Sequence, residues 1–207
     1  MKKLIAGIFI VQIIVLVALG IPAGGAANAI WKDEVSGVVV RQDNPVNTID
    51  SYYRLLDNES YDAAVLLLEK DVQENVNGDI LKASLESIGW QETNLVKLIP
   101  SSVVGNYAVV ASVRTVNSNP DEPALSIATL RQVEGKWEII QQMNNSDLEE
   151  VKQVLERAVE VCDLIVKDPF PGLSDTQRTN IKTQAELGGQ YIAANLEQLN
   201  QMIEDIK

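Results

Sequence analysis

The sequence predicts an α+β protein: helices packed on a curved, cone-like antiparallel sheet, with an antiparallel helical hairpin at the C-terminus. Two changes in the spacing of apolar residues support this fold class. Apolar residues first recur at helical spacing, alternate at every second position from Asn94 onward, and return to helical spacing after Asn145. Consecutive strands joined by short polar turns pair as an antiparallel meander, and two seamed helices joined by a short loop pair with each other.

Residues 1–29 have the pattern of a secretory signal peptide or an N-terminal membrane anchor. Two lysines precede an uncharged, apolar run over 4–21, and an Ala-x-Ala motif ends at Ala29. The run is longer than a usual signal core and about long enough to cross a bilayer. We expect either cleavage after Ala29 or retention as an anchor. Both alternatives place the remaining chain outside the cytoplasmic membrane, touching the membrane only through 4–21 if that segment is uncleaved.

Composition excludes several classes of function. The net charge is −12, so the protein has no electrostatic attraction for nucleic acid or anionic lipid. The chain has no histidine, which excludes Ser-His-Asp and Cys-His catalysis and histidine-bound zinc. The single cysteine, Cys162, cannot form an internal disulfide, and we expect it in the core because it lies on an apolar helix stripe. We predict no metal site and no cofactor.

The N-terminal half of the exported chain predicts short helices. Residues 30–44 form a lead-in that contains a small strand or an extended tether. A first helix is expected to begin at the cap residues Asn47 and Thr48, and a second to run from Tyr61 to Leu68. A third short helix is expected over 80–88, where Gly89 follows in the usual position after a helix end.

The middle of the chain predicts a meander of three or four strands. On the strand expected at 107–116, the odd-numbered residues from Tyr107 to Val113 are apolar, whereas Ser112 and Arg114 belong to the opposite face. We read 117–123, with its two prolines, as a polar connection. The other strands are expected at 94–104, 125–133 and 136–141.

Residues 146–207 predict the helical hairpin. Capping boxes begin both helices, at Ser146–Glu149 and Ser174–Gln177, and apolar residues follow in seams with alternating steps of three and four. Two alternatives remain open. The seams bind a protein partner or a second copy of the chain, or the two helices satisfy one another and pack on the cone.

Residues 45–143 resemble the nuclear-transport-factor-2-like superfamily, the SnoaL-like cone. The residues that carry this resemblance are Pro45–Tyr53, Asn58–Ala64 and the turn and strand Glu134–Ile139. The resemblance implies a bent sheet wrapped around a long helix, with a pocket at the open end. It implies either an isomerase or hydrolase or, for extracytoplasmic members, a binding or assembly module. No carboxylate aligns with a catalytic role, and the hairpin has no counterpart in the minimal family domain.

Two sets of residues are candidate sites. Aromatic side chains with polar tips suit a cavity for a small apolar ligand, but we expect this set to pack in the core and at its rim. This set comprises Tyr52, Tyr53, Trp90, Tyr107 and Trp137. Arg114 and Arg131 form the second set: facing inward, either cation suits a carboxylate-bearing ligand, but we expect both on the solvent face of the sheet.

An acidic group surrounds the first helix junction. Paired carboxylates can serve acid–base chemistry or hold Ca²⁺, but their spacing matches no EF-hand loop, so we expect helix capping and solvated surface. Its members are Asp50, Asp57, Glu59 and Asp62.

The function that these patterns favour is a non-enzymatic binding or assembly module at the cell exterior. One alternative is an extracytoplasmic sensor or carrier for a small molecule that enters the cone pocket. Another is a cofactor-free isomerase or hydrolase. An enclosed pocket with an unpartnered carboxylate or tyrosine hydroxyl would favour the alternatives, whereas a filled cone and an exposed apolar stripe on the C-terminal helices would favour the module.

Overall fold

A computed structural model describes residues 29–87, 89–90, 93–99, 103–117, 119–140, 148–167 and 172–206. The leader expected at 1–29 lies outside these residues except for Ala29. The strands are β1 Ile30–Lys32, β2 Val39–Arg41, β3 Thr93–Ile99, β4 Val103–Val104, β5 Tyr107–Val116, β6 Asn119–Val133 and β7 Lys136–Ile140. The helices are α1 Pro45–Asp57, α2 Tyr61–Val65, α3 Lys70–Gln73, α4 Gly78–Ser87, α5 Leu148–Lys167 and α6 Asp175–Ile206.

The fold is α+β, as predicted, with an antiparallel sheet and a C-terminal helix pair. The main sheet has the order β3-β5-β6-β7, and β4 pairs with the start of β5. β1 and β2 form a separate two-stranded hairpin. Within the described part of the chain, no helix combines the length and the apolar character needed to cross a bilayer.

Helix α1 begins earlier than the sequence suggested. Asn44 is its N-cap: the Asn44 side chain accepts a hydrogen bond of 2.8 Å from the Asn47 main-chain N–H. Pro45 occupies the first turn, where its missing N–H costs nothing. The expected start at Asn47 and Thr48 was therefore wrong, because the cap lies in front of the proline.

Both faces of β5 are buried, and they differ in composition. We call the side that carries Tyr107, Val109, Ala111 and Val113 the hairpin face, since these residues share a cluster with α5 and α6. We call the side that carries Ala108, Val110, Ser112 and Arg114 the α1 face, where the cluster includes α1, α2 and α4. The sheet is thus covered by helices on both sides.

The C-terminal helices pack on each other and on the sheet. The predicted seams are buried, with Leu155, Cys162, Ile181 and Ala185 inside the hairpin-face cluster. The Ser174–Gln177 capping box is present: each residue's main-chain N–H donates to the other's side-chain oxygen. Of the other box, Ser146 lies outside the described residues. The two helices thus pack on each other and on the sheet, and binding of a protein partner or a second copy through them stays a prediction.

Helix α6 also protects an edge of the sheet. β7 pairs only with the second half of β6, so the first half has no neighbouring strand on that side. Side-chain amides of α6 donate to main-chain carbonyls within 120–123: these are Gln177, Asn180 and Gln184, at 2.6, 2.7 and 2.6 Å. Gln184 Oε1 also accepts from the Leu125 main-chain N–H at 2.9 Å. Because these edge groups are bonded, they are not available to pair with another strand.

This edge explains one wrong prediction. Residues 119–123 belong to β6 rather than to a polar connection, and Val116 pairs with Asn119 across a very tight turn. Prolines lower the strand propensity of a sequence because they cannot donate to a ladder. Here the prolines lie on an edge strand, whose neighbour on that side is a helix that needs only their carbonyls.

Two polar contacts fix the helices on the α1 face. Asp33, in the turn after β1, accepts hydrogen bonds from Ser36 and, at 2.7 Å, from Ser60 Oγ before α2. These hydrogen bonds lower the pKa of Asp33 to about 2. Asp62 Oδ1 accepts from the Gly78 main-chain N–H at 2.9 Å and so caps the start of α4.

Candidate functional site

The candidate site is built around Arg114 on β5. Strand alternation directs its side chain to the α1 face, where its exposed fraction is 2%. Our expectation that Arg114 lies on the solvent face was wrong. Ala108 and Val110 on the same side of β5 are also buried, so this side is a second core face that happens to carry two polar residues.

One edge of the guanidinium is fixed by hydrogen bonds. Nε donates to Thr93 Oγ1 at 2.8 Å, and Nη2 donates to the Thr93 carbonyl oxygen at 3.0 Å. Nη2 also contacts Asp57 Oδ1 at 3.1 Å, at the end of α1. The Asp57 side chain is 47% exposed, so the ion pair joins a buried cation to a carboxylate that water still reaches.

Two aromatic rings pack against the guanidinium. Its central carbon lies 3.9 Å from the ring centroid of Trp90 and 5.1 Å from that of Tyr53. These distances are in the range of cation–π contacts, which are strongest over indole. The two rings are themselves 5.3 Å apart, so Arg114, Trp90 and Tyr53 form one packed unit.

Tyr53 is fully engaged in this unit. Its hydroxyl shares a hydrogen bond of 2.7 Å with Ser112 Oγ, two residues before Arg114 on β5. Burial raises the pKa of Tyr53 above its usual value, although the Ser112 hydrogen bond and the Arg114 cation oppose this rise. Tyr53 therefore stays neutral and positions its neighbours.

Two buried donors at this site have no hydrogen-bond partner among the described residues. They are Arg114 Nη1 and Trp90 Nε1. A buried donor without a partner costs about 1–3 kcal/mol, more when it is charged. Both donors belong to the stacked pair, so they lie in one locality.

The predicted aromatic set is only partly brought together. Tyr52, Tyr53, Trp90 and Trp137 all pack in the α1-face cluster. Tyr107 does not join them, because its odd-numbered position on β5 places it in the hairpin-face cluster. Tyr53 and Trp137 are core residues, with exposed fractions of 6% and 5%.

Arg131 lies on the other face of the sheet from Arg114 and toward the other end of the β5–β6 pair, since Arg114 is paired with Ala124 and Arg131 with Tyr107. It lies on β6 between two cross-strand neighbours, Tyr107 on β5 and Glu138 on β7. Arg131 is half-buried, so the expectation of a solvent-facing side chain was only partly right, and within the described residues its Nε has no hydrogen-bond partner. Burial raises the pKa of Glu138, and the Arg131 cation opposes this shift.

The acidic group around the first helix junction is dispersed by the fold. Asp62 caps α4, as expected, whereas Asp57 is the partner of Arg114, a role that we did not predict. Asp50 Oδ2 lies 3.9 Å from Arg54 Nη1, and Glu59 has a left-handed backbone with φ 57°. In the described part of the chain, no cluster of carboxylates or Cys suited to a metal ion is found.

An open cleft of about 380 Å³ lies at the outer edge of β7. Its walls come from elements far apart in sequence, which is why no motif predicted it. They are Trp31, Gln42, Leu66, Lys70, Gln73, Lys136 and Glu138. Of these, Gln42 is already engaged by Trp137. The Gln42 side-chain Nε2 donates to the Trp137 main-chain carbonyl at 3.1 Å, and the Gln42 main-chain carbonyl accepts from the Trp137 main-chain N–H at 2.9 Å.

Cys162 is a core residue, as predicted. It is 1% exposed and faces Gly188 and Gly189 of α6. Burial, with a smaller effect of Asp163, raises the pKa of the thiol to about 11. Because the thiolate is the reactive form, this cysteine is inert in the folded protein.

Comparisons of the chain with protein-family models, curated proteins and solved structures each found no match. The resemblance to the nuclear-transport-factor-2-like superfamily therefore stays a prediction.

Proposed function

We propose that this protein is an exported, non-enzymatic binding module that recognises an anionic group through Arg114. The observation that carries the proposal is the half-satisfied guanidinium. One edge is held by Thr93 and Asp57, while Nη1 is buried without a partner among the described residues. Because Nη1 is buried, an acceptor reaches it only when a neighbouring side chain moves aside, and in return the donor gains the partner that it lacks.

The chemistry of the site supports recognition rather than catalysis. A guanidinium stays protonated at all physiological pH values and cannot exchange a proton with a substrate. Tyr53 keeps its proton because burial raises its pKa. Asp57 is paired with Arg114. These three groups attract and orient a ligand, but they do not form a general acid–base pair.

The packing of the α1 face indicates how the ligand is held. Tyr53 and Trp137 are buried in the interior between α1 and the sheet. A ligand that contacts Arg114 must therefore bind at the partly exposed side, where Trp90 and Asp57 reach solvent. This arrangement favours a module that grips one group of its ligand over a carrier that encloses a whole small molecule.

The extracytoplasmic location rests on the leader pattern over 1–29. N-terminal sequencing of the protein recovered from its native host tests this part of the proposal. Ile30 as the first residue supports cleavage, and an intact Met1 in the membrane fraction supports the anchor. Intact protein in the cytosol contradicts export.

Thermal unfolding in the presence of simple anions tests the binding function. Acetate, benzoate, phosphate and methanesulfonate are compared at constant ionic strength, because a ligand that binds only the folded state raises Tm. We expect at least one anion to raise Tm saturably in the unmodified protein and in Arg131→Gln, but not in Arg114→Gln. Arg131 is a matched control since it lies on the same sheet but on the opposite face. No response to any anion contradicts the proposal.

A further inference from the structure

We infer that the group recognised at Arg114 is the carboxylate of a small, singly charged organic acid, bound jointly by Arg114 Nη1 and Trp90 Nε1. This inference rests on the proposed binding function and adds the chemical class of the ligand. It follows from three features of the site: which edge of the guanidinium is free, how many donors lie there, and which charge stands beside them.

The free edge of the guanidinium sets the direction of approach. Trp90 lies against the π face, with its centroid 3.9 Å from the central carbon of Arg114. Nε and Nη2 are bonded to Thr93 and Asp57. An incoming acceptor must therefore lie near the guanidinium plane on the Nη1 side, which is the direction from which planar oxygen acids contact arginine.

The number of donors matches two oxygen atoms. Nη1 carries two N–H groups and Trp90 Nε1 carries one, and both nitrogens are buried without partners among the described residues. A carboxylate can place one oxygen on each nitrogen. A phosphate has further oxygens, which would be left without donors in a site that water does not reach.

Asp57 limits the charge that the site accepts. Its carboxylate lies 3.1 Å from Arg114 Nη2 and already compensates the single positive charge. A dianion placed on the adjacent nitrogen would be repelled by Asp57 and would lose more hydration than a monoanion. Because Asp57 is 47% exposed, water screens its repulsion of a single carboxylate.

The Trp90 indole provides a direct readout. The protein has three tryptophans, and only Trp90 is placed on Arg114. In ¹⁵N-labelled exported protein, the three indole N–H signals are assigned with the Trp90→Phe variant. Sodium acetate and sodium benzoate are titrated against sodium phosphate and sodium chloride at constant ionic strength.

We expect both carboxylates to shift the Trp90 indole signal saturably, while the signals of Trp31 and Trp137 stay in place. Arg131→Gln should behave like the unmodified protein, and Arg114→Gln should lose the shift. A saturable shift with phosphate but not with carboxylates overturns the inference and leaves the proposed binding function intact. No saturable shift with any anion, together with no rise in Tm, overturns both.

Asp57→Asn gives an independent test that does not depend on removing the buried arginine. Asparagine keeps an oxygen for Arg114 Nη2 but removes the competing charge, so the dissociation constant for acetate should fall by about two- to fivefold, the effect of one partly exposed charge. An unchanged or larger dissociation constant contradicts the inference. Asp50→Asn, on the same helix and paired with Arg54, is the control and should leave the constant unchanged.

Discussion

The two faces of the central sheet are made by the same strands but are held in different ways. On the hairpin face, Val109, Ala111 and Val113 of β5 pack against α5 and α6 in a cluster of apolar side chains. On the α1 face, Ser112 and Arg114 replace the apolar residues near the end of the strand and bond to α1. The hairpin face thus supplies burial, whereas the α1 face combines burial with a fixed set of polar contacts.

This difference indicates a division of roles. Close-packed apolar surface stabilises a fold without demanding a unique orientation of any one group. A buried arginine contributes little stability, because its desolvation offsets most of its attraction for a partner. Its presence on the α1 face, with donors that have no partner among the described residues, supports the proposed binding role.

Loss of the helical hairpin should have the largest effect on stability. Removing 146–207 exposes the whole hairpin face of the sheet, including Tyr107, Val109 and Leu125. At about 25 cal/mol for each Å² of apolar surface, the loss exceeds the stability of a typical domain. We expect no cooperative thermal transition by circular dichroism. A truncated protein that unfolds cooperatively would show that the α1 face is sufficient alone.

Gly78→Ala should destabilise the protein by disrupting the Asp62 contact on the α1 face. A β-carbon at Gly78 would lie 2.4 Å from Asp62 Oδ1 and 2.8 Å from the Asp62 main-chain nitrogen, and the main chain cannot move away cheaply. We expect a loss of about 2–3 kcal/mol in the free energy of unfolding, measured in urea. Ser84→Ala, on an exposed position of the same helix, is the control and should change it by less than about 0.5 kcal/mol.

Acid should weaken the α1 face through Asp33. Its pKa of about 2 in the folded protein lies below the ordinary value of 3.8, because the hydrogen bonds of the folded state stabilise the ionised carboxylate. The stabilisation is present above that ordinary value and is lost as the pH falls toward 2. We expect Asp33→Asn to remove about 1–2 kcal/mol at pH 6 and almost nothing near pH 2. Equal losses at both pH values, in urea unfolding, would contradict the assignment.

Two adjacent glycines of α6 test how closely this helix packs on α5. A β-carbon at Gly188 makes an ordinary 3.9 Å contact with Cys162 Sγ, whereas one at Gly189 comes within 3.2 Å of Cys162 Cβ. Gly188→Ala should raise stability by about 0.5–1 kcal/mol, because alanine favours the helix. Gly189→Ala should gain less or lose stability, since the helices must separate slightly. The reverse order of the two Tm values would contradict this packing.

The sequence was sufficient to predict the fold class, because the change from period 3.6 to period 2 and back is set by burial on each element. It also placed Cys162 in the core and Ser174–Gln177 at a helix start, since both are local patterns. The site was harder to predict. Arg114 looked solvent-facing because Ser112 and Arg114 are polar, although Ala108 and Val110 on the same side of the strand indicate a second buried face.

Other parts of the site depend on contacts between distant segments. Asp57 and Thr93 contact Arg114 across 57 and 21 residues of sequence. No local spacing predicts such pairs, and the chain brings them together only when α1 packs on β3 and β5. The placement of Tyr107 away from the other aromatic residues followed from strand alternation, but the pocket hypothesis overlooked it.

Urea unfolding of Arg114→Leu, combined with the acetate titration, distinguishes a binding role of Arg114 from a structural role. Leucine fills much of the same space without a charge, and the exposed Asp57 is solvated once its partner is gone. We predict a free energy of unfolding within about 1 kcal/mol of the unmodified protein, with the carboxylate response abolished. A loss of about 3 kcal/mol or more, with the carboxylate response retained, would show that Arg114 holds the fold together and does not bind a ligand.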